Sequence, residues 1–368
     1  MNHIGNRHEY FLRKILFESL DGLRFASIVA VIWHHAGPIG MGWHGLDMGY
    51  LGVDLFFVIS GFLITTLLLR EHDKSHNISL RNFYIRRTLR IFPLYYSVIL
   101  ILTVLYIFIR PDSKTGVKFL VELPYYITYT ANLVPVSFAI VWSLAAEEQF
   151  YLLWPAIEKY LKKYAIIVLA GLLIVNQFIN FPQGKELISR ILGSDDWTQL
   201  SIWQVTFTPI LMGVGAAHML HSGRGFDCLR WIAASPWAPI GWLLAIVGLI
   251  TVFSGDVSGL PRLMLHIGMT FLVISCVWQE NHVLKPILTF APIKHIGKIS
   301  YGMYLFHIHA ILAAQFFMSA TGITGYIWLF SISLLFTTIA ADLSFRLFES
   351  RFLRMKEKYS MVDHTKRL

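Results

Sequence analysis

The sequence predicts an all-α polytopic membrane protein of about ten transmembrane helices, with both termini in the cytoplasm. Three observations carry this. The 368 residues are 55% hydrophobic and only 14% charged, with a mean hydropathy of +0.57, whereas soluble globular domains carry about 25% charged residues. Apolar stretches of roughly 17–25 residues, the length that crosses a bilayer, recur along the whole chain. Under strict alternation from an inside N-terminus, the predicted cytoplasmic segments hold 24 Lys and Arg residues and the predicted outer loops six, with Arg24 inside a span. That asymmetry is what positive-inside orientation produces.

Residues 1–21 form the first predicted element. Tyr10, Phe11, Ile15, Leu16 and Phe17 lie beside Arg13 and Lys14, which predicts an amphipathic helix on the cytoplasmic membrane surface. The stretch is too charged for the apolar core of a cleavable signal peptide and has no small-residue cleavage site. The membrane part, 22–349, contains spans at 22–37, 51–69, 90–109, 138–158, 164–180, 203–221, 236–254, 262–279, 300–319 and 326–348. Residues 117–134 contain a proline and polar side chains around a short apolar core, and read as an external loop or a re-entrant piece. A basic cytoplasmic tail, 350–368, closes the chain. Cys228 and Cys276 offer neither a disulfide framework nor zinc-ligand spacing. The net charge of +9 lies between apolar runs, where it serves orientation and not nucleic-acid binding.

Within this frame the ionisable residues at membrane depth are the functional candidates, because they are costly there and face a protein interior or a wet cavity. In the first span, "LDGLRFASIVAVIWHHAG", Arg24 and His35 are eleven positions apart. At 100° per residue they fall about 20° from the same face and roughly 16 Å apart along the axis, while His34 falls about 80° away from Arg24. Arg24 is read either as snorkelling to lipid phosphates or as a ligand contact; His35 is the functional histidine of the pair. The second span opens "LGVDLFFVISGF", one turn inside which lies Asp54, a carboxylate suited to orienting an imidazole or to capping the helix. Gly52 and Gly61 predict close helix packing.

"FYIRRTLRIFPLYY" places Arg86, Arg87 and Arg90 at the cytoplasmic start of the third span. They serve positive-inside orientation, a polyphosphate ligand, or both. "IVWSLAAEEQFYLLWP" buries Glu147 and Glu148 in an apolar span, and adjacent positions diverge by about 100°, so one of the two faces the site. "ISYGMYLFHIHAIL" puts His307 and His309 in mid-span. Positions i and i+2 point apart on a helix, so no metal is predicted, and His307 reads as a structural or substrate-contacting residue.

Taken together, these stretches resemble the acyltransferase 3 family of integral-membrane enzymes that O-acylate cell-surface and secreted carbohydrates. The family's motif of a basic residue, ten residues and a histidine matches Arg24 and His35. "GVDLFFVISGFLIT", "RRTLRIFPLYY", "WSLAAEEQFYLLWP" and "ISYGMYLFH" match further blocks in order, from residue 20 to about 354. The resemblance implies an O-acetyltransferase of a bacterial inner membrane, taking cytoplasmic acyl-coenzyme A, most often acetyl, as donor. The acceptor would be a hydroxyl of a polysaccharide, lipopolysaccharide O-antigen or lipid-linked sugar at the outer face. Arg24, Arg86, Arg87 and Arg90 would then bind the donor. His35, oriented by Asp54 or by Glu147 or Glu148, would deprotonate the acceptor. No SGNH-type extracytoplasmic domain follows the spans, which predicts a stand-alone transferase and leaves open a separate extracytoplasmic partner. A secondary transporter or channel is the competing class, since ion and substrate paths use the same intramembrane charges.

Overall fold

The computed structural model describes residues 2–14, 16–37, 47–193, 206–253 and 257–359. The predicted loops 38–50, 181–201 and 254–262, the start of the span at 203–221 and the tail 350–368 lie partly outside the described residues. All regular structure among the described residues is helical. In chain order the helices are α1 (Asn2–Arg13), α2 (Glu18–Ala36), α3 (Leu51–Ser75), α4 (Leu80–Val104), α5 (Lys114–Ile127), α6 (Val141–Tyr160), α7 (Ala165–Asn180) and α8 (Pro182–Leu192). They continue with α9 (Thr208–His221), α10 (Gly223–Cys228), α11 (Arg230–Ala233), α12 (Ala238–Val252), α13 (Gly259–Trp278), α14 (Lys285–Leu288), α15 (Ala291–Thr321), α16 (Tyr326–Ser344) and α17 (Ser350–Glu357).

Among the described residues, six helical stretches are long and apolar enough to cross a membrane: Leu51–Ser75, Leu80–Ile109, Lys162–Asn180, Gly259–Trp278, Ala291–Thr321 and Tyr326–Lys356. The other four predicted spans coincide with helices of a different character. α2 carries Glu18, Asp21 and Arg24, and α6 carries Glu147, Glu148, Glu158 and Lys159, which lower their hydropathy. α9 and α12 have 14 and 15 described residues, fewer than the ~20 a straight span needs.

The chain divides into two compact units. The first comprises Met1–Lys74, Ile166–Gln177 and Thr208–Asp342. Here α2 lies against α3 and α15. A side-chain carbon on Gly52 would meet the Ser27 carbonyl at 2.4 Å, and one on Gly297 would meet the Asp21 carbonyl at 1.8 Å, so both contacts are backbone against backbone. α3 crosses α9 in the same way, Gly61 against Ile210 and Gly213 against Val58. Close crossings of this kind replace the hydrophobic drive that lipid removes.

Contacts at both ends give the helix directions. Asp21 meets Gly297 and His35 meets His307, so α2 and α15 run parallel. Trp33 packs on Phe330, and His295 bonds Asp342, so α16 runs antiparallel to both. α1 ends at Arg13, where Phe11 (2% exposed) packs on Phe17 and Phe226 while Tyr10 is left exposed. The Arg70 guanidinium donates to the Phe11 and Lys14 carbonyls and lies over the Phe11 and Phe17 rings.

The second unit comprises Ser75–Ala165, Phe178–Phe207 and Leu343–Leu368. The stretch read as a loop or re-entrant piece forms α5 and the turns after it. Glu122 is its anchor: its carboxylate accepts from the Tyr126 hydroxyl (2.7 Å) and from the Ser137 amide (2.7 Å) and hydroxyl (2.5 Å). Tyr95 and Tyr96 of α4 donate to the Tyr126 and Ile127 carbonyls, each at 2.9 Å. A reciprocal amide pair, Asn132 with Gln149, ties the same turns to α6.

Candidate active site

In the first unit, the end of α2 presents two histidines held in different ways. His34 Nδ1 donates to the Asp47 carbonyl at 2.7 Å and its ring packs on Tyr50, so it pins the segment that leads into α3. His35 Nδ1 donates to the Val31 carbonyl, one turn back, at 2.9 Å. A carbonyl only accepts, so the neutral His35 ring carries its hydrogen on Nδ1 and a lone pair on Nε2. His35 is exposed at the surface of the unit. This is the arrangement a general base needs: a locked tautomer and a reachable acceptor nitrogen.

Asp54 is not the group that orients His35. It is 1% exposed, and both its oxygens are engaged by α13: Arg262 reaches them through Nε and Nη2 at 3.2 Å, and His266 Nε2 donates to Oδ2 at 2.9 Å. The expectation fails because a fully buried carboxylate takes the nearest cation, and α13 brings one. Sequence reasoning missed Arg262 and His266. Their signal was the i, i+4 spacing of two basic residues on one face of an apolar helix, obscured because Arg262 stands at the boundary of the predicted span 262–279 and counts with the outer-loop charges. Arg24 is half-buried and its Nη1 donates to Asp21 Oδ1 at 2.8 Å.

His307, also in this unit, is fully buried. Its Nδ1 donates to the Tyr304 carbonyl at 2.5 Å, and its ring centroid lies 4.9 Å from that of His35. The sequence brought no partner for His307 into view, because 272 residues separate the two histidines.

In the second unit, Arg86, Arg87 and Arg90 are half-buried on α4. Arg86 Nη1 donates to the Tyr359 carbonyl at 2.7 Å, so this guanidinium ties down the chain after α17. Arg87 lies over the Tyr151 ring, 4.7 Å from its centroid, and over Phe83 at 5.8 Å. Stacking of this kind leaves the guanidinium edge available to an anion. The two acids of α6 separate cleanly. Glu147 Oε1 accepts from the Tyr151 hydroxyl one turn on, whereas Glu148 Oε1 is buried without a hydrogen-bond partner among the described residues. Arg87 is near enough for its charge to act on Glu148.

Comparison with known proteins bears on the family. The chain is 28% identical over 369 residues to the peptidoglycan O-acetyltransferase OatA of Listeria monocytogenes, covering 90% of this chain and 55% of that protein. It is 30% identical over 365 residues to a putative O-acetyltransferase of Staphylococcus aureus strain COL, and 29% over 357 residues to O-acetyltransferase OatA of Staphylococcus aureus strain NCTC 8325; each match covers 90% of this chain and 56% of the relative. The chain thus spans about half the length of the curated relatives it matches. No solved structure matches it. The acyltransferase domain family, acyltransferase 3, matches residues 17–346, and the chain belongs to that family of integral membrane proteins.

Proposed function

We propose that this protein is an O-acetyltransferase of a bacterial inner membrane, moving an acetyl group from cytoplasmic acyl-coenzyme A to a carbohydrate hydroxyl at the outer face. The observation that carries the reading is His35, whose Nδ1–H is locked on Val31 and whose Nε2 is left to take a proton. Family membership supports a transferase over a transporter or channel. The relatives' names favour a cell-wall glycan as acceptor over lipopolysaccharide.

In this mechanism His35 Nε2 removes the acceptor's hydroxyl proton as that oxygen attacks the acyl carbonyl, then returns the proton to the departing sulfur. Arg87 and Arg90 hold the donor's phosphates, since guanidinium binds phosphate bidentately. Arg24 is a further donor contact, reached by exchange of its Asp21 partner. Of the two acids of α6, Glu148 is the functional one, its unpaired oxygen being available to a substrate N–H or O–H. Asp54 of α3, held by Arg262 and His266 of α13, supports the site away from the base.

The test is acceptor-dependent release of coenzyme A by the full chain in proteoliposomes, using acetyl-coenzyme A and oligomers of N-acetylated amino sugars. His35→Ala is expected to lower turnover by about 100-fold or more, with donor binding retained, and His34→Ala to be milder. Equal, full activity in both variants overturns the assignment of the base.

A further inference from the structure

We propose that His307 is a positioning residue that stabilises the charged form of His35 during turnover. The proposal rests on the reading of His35 as the general base and adds what makes that base effective. Two parallel helices bring the imidazoles together, with ring centroids 4.9 Å apart and planes at 63°. Both rings are locked in the same tautomer, His35 by the Val31 carbonyl and His307 by the Tyr304 carbonyl. Each therefore directs its only N–H away from the other and keeps a lone pair on Nε2.

For His307 that lone pair is an anomaly. The residue is 0% exposed, and its Nε2 has no hydrogen-bond partner among the described residues. A buried acceptor left without a donor has lost its hydrogen bond to water and gained none in the protein. Neutral His35 cannot relieve it, having one N–H already spent on Val31. Protonated His35 can in part, because its positive charge then lies beside an unspent lone pair while its Nε2–H stays with the substrate. The pair is thus poorly satisfied at rest and better satisfied once the base is charged. A contact that strengthens only along the reaction lowers the barrier instead of merely tightening binding.

Nothing else described fills this role. The rings around the pair are His34 on α2, 5.0 Å from His35, and Tyr304 on α15, 5.4 Å from His307, with His309 also acting on His307. The acid on the neighbouring helix α3, Asp54, is bonded to Arg262 and His266 of α13. On α16, Phe330 packs against Trp33 of α2. No carboxylate among the described residues bonds His35; the Val31 carbonyl takes the Nδ1–H that an orienting acid would commonly hold, and the second imidazole lies beside the ring. The proton passes from the acceptor hydroxyl to His35 Nε2 as the C–O bond forms, and from there to the sulfur as the C–S bond breaks. His307 neither gains nor loses it.

The experiment compares His307→Leu, His307→Gln and His35→Ala in the reconstituted full chain, with acetyl-coenzyme A and the amino-sugar oligomers. His307→Leu is expected to lower kcat by about 10- to 100-fold, to leave the donor KM within about twofold, and to move the acid limb of the kcat–pH profile to lower pH. His307→Gln, whose amide oxygen again offers an acceptor, is expected to recover most of the loss. A His307→Leu protein with wild-type kcat overturns the proposal, as do equal losses in both His307 variants with an unmoved acid limb. Activity surviving in His35→Ala overturns the base assignment itself, a result distinguishable from failure of the His307 proposal alone.

Discussion

At Asp54 the cost of a buried charge decides what a substitution does. The carboxylate is 1% exposed and its counter-charge, Arg262, has a side chain 22% exposed. Asp54→Asn keeps the shape but leaves a largely buried guanidinium without its anion, and breaking such a pair from one side costs on the order of 3–5 kcal/mol. Arg262's partial exposure puts the expected loss at the lower end. Asp54→Asn combined with Arg262→Gln should restore part of the melting temperature in detergent, because the two positions share one interaction. Additive losses in the double variant would contradict a coupled pair. Asp54 was legible as a buried acid from "GVDLFF", but its partners were not, since they lie 208 and 212 residues away. His35 was legible because helical angle separates it from His34, and the structure gives the two different partners. The choice between Glu147 and Glu148 was not read, although Tyr151 stands at the i+4 position that claims Glu147.

Among the elements, the join between the start of α2 and the turn after α13 carries a titratable clasp. His282 is 3% exposed, and its Nε2 bonds the Ser19 hydroxyl at 3.0 Å. Burial, with Lys285 and Lys14 nearby, pushes this histidine down to about 4. The unfolded chain titrates near 6.5, so between these values it binds the proton that the folded chain refuses, and stability falls as pH drops from 6.5 towards 4. The melting temperature of the wild type should therefore decline more steeply across that window than that of His282→Gln, which keeps a polar group but does not titrate. Parallel pH curves for the two proteins would remove His282 as the cause. The membrane helices were legible from apolar runs, whereas α5, α8, α10, α11 and α14 lie in stretches outside the predicted spans. What hydropathy missed was how the amphipathic start of the chain is used: Phe11 and Phe17 find Phe226 and Phe62 before lipid does, because Arg70 holds the end of α1 against them.

For the whole molecule, the directions of the helices in the first unit bear on how the chain threads a bilayer. Two parallel spans must be separated by an odd number of crossings. α2 and α15 run parallel, and seven predicted spans lie between them, the odd number that the ten-span expectation requires; the inside N-terminus is expected from the charge bias alone. Among the described residues, six helices meet the length and hydropathy of a span unaided, whereas the charges of α2 and α6 lower the hydropathy of two more. Arg24 on α2 and Glu147 and Glu148 on α6, each a candidate functional residue, are among those charges. Sidedness is open to direct labelling. By this threading the end of α3 at Lys74 lies in the cytoplasm, and the turn at Thr324 between α15 and α16 lies outside; both positions are exposed. The native Cys228 is exposed and would react, so it is first replaced by serine, while Cys276 is buried. A membrane-impermeant maleimide should then modify Lys74→Cys in inside-out vesicles and Thr324→Cys in right-side-out cells, each from that side alone. Reaction of both from one face would mean that an even number of spans separates α3 from the α15–α16 turn, against the charge bias of 24 to six. Reversal of both would invert the whole threading, and acetyl-coenzyme A supplied from the cytoplasm would then meet the wrong end of α2.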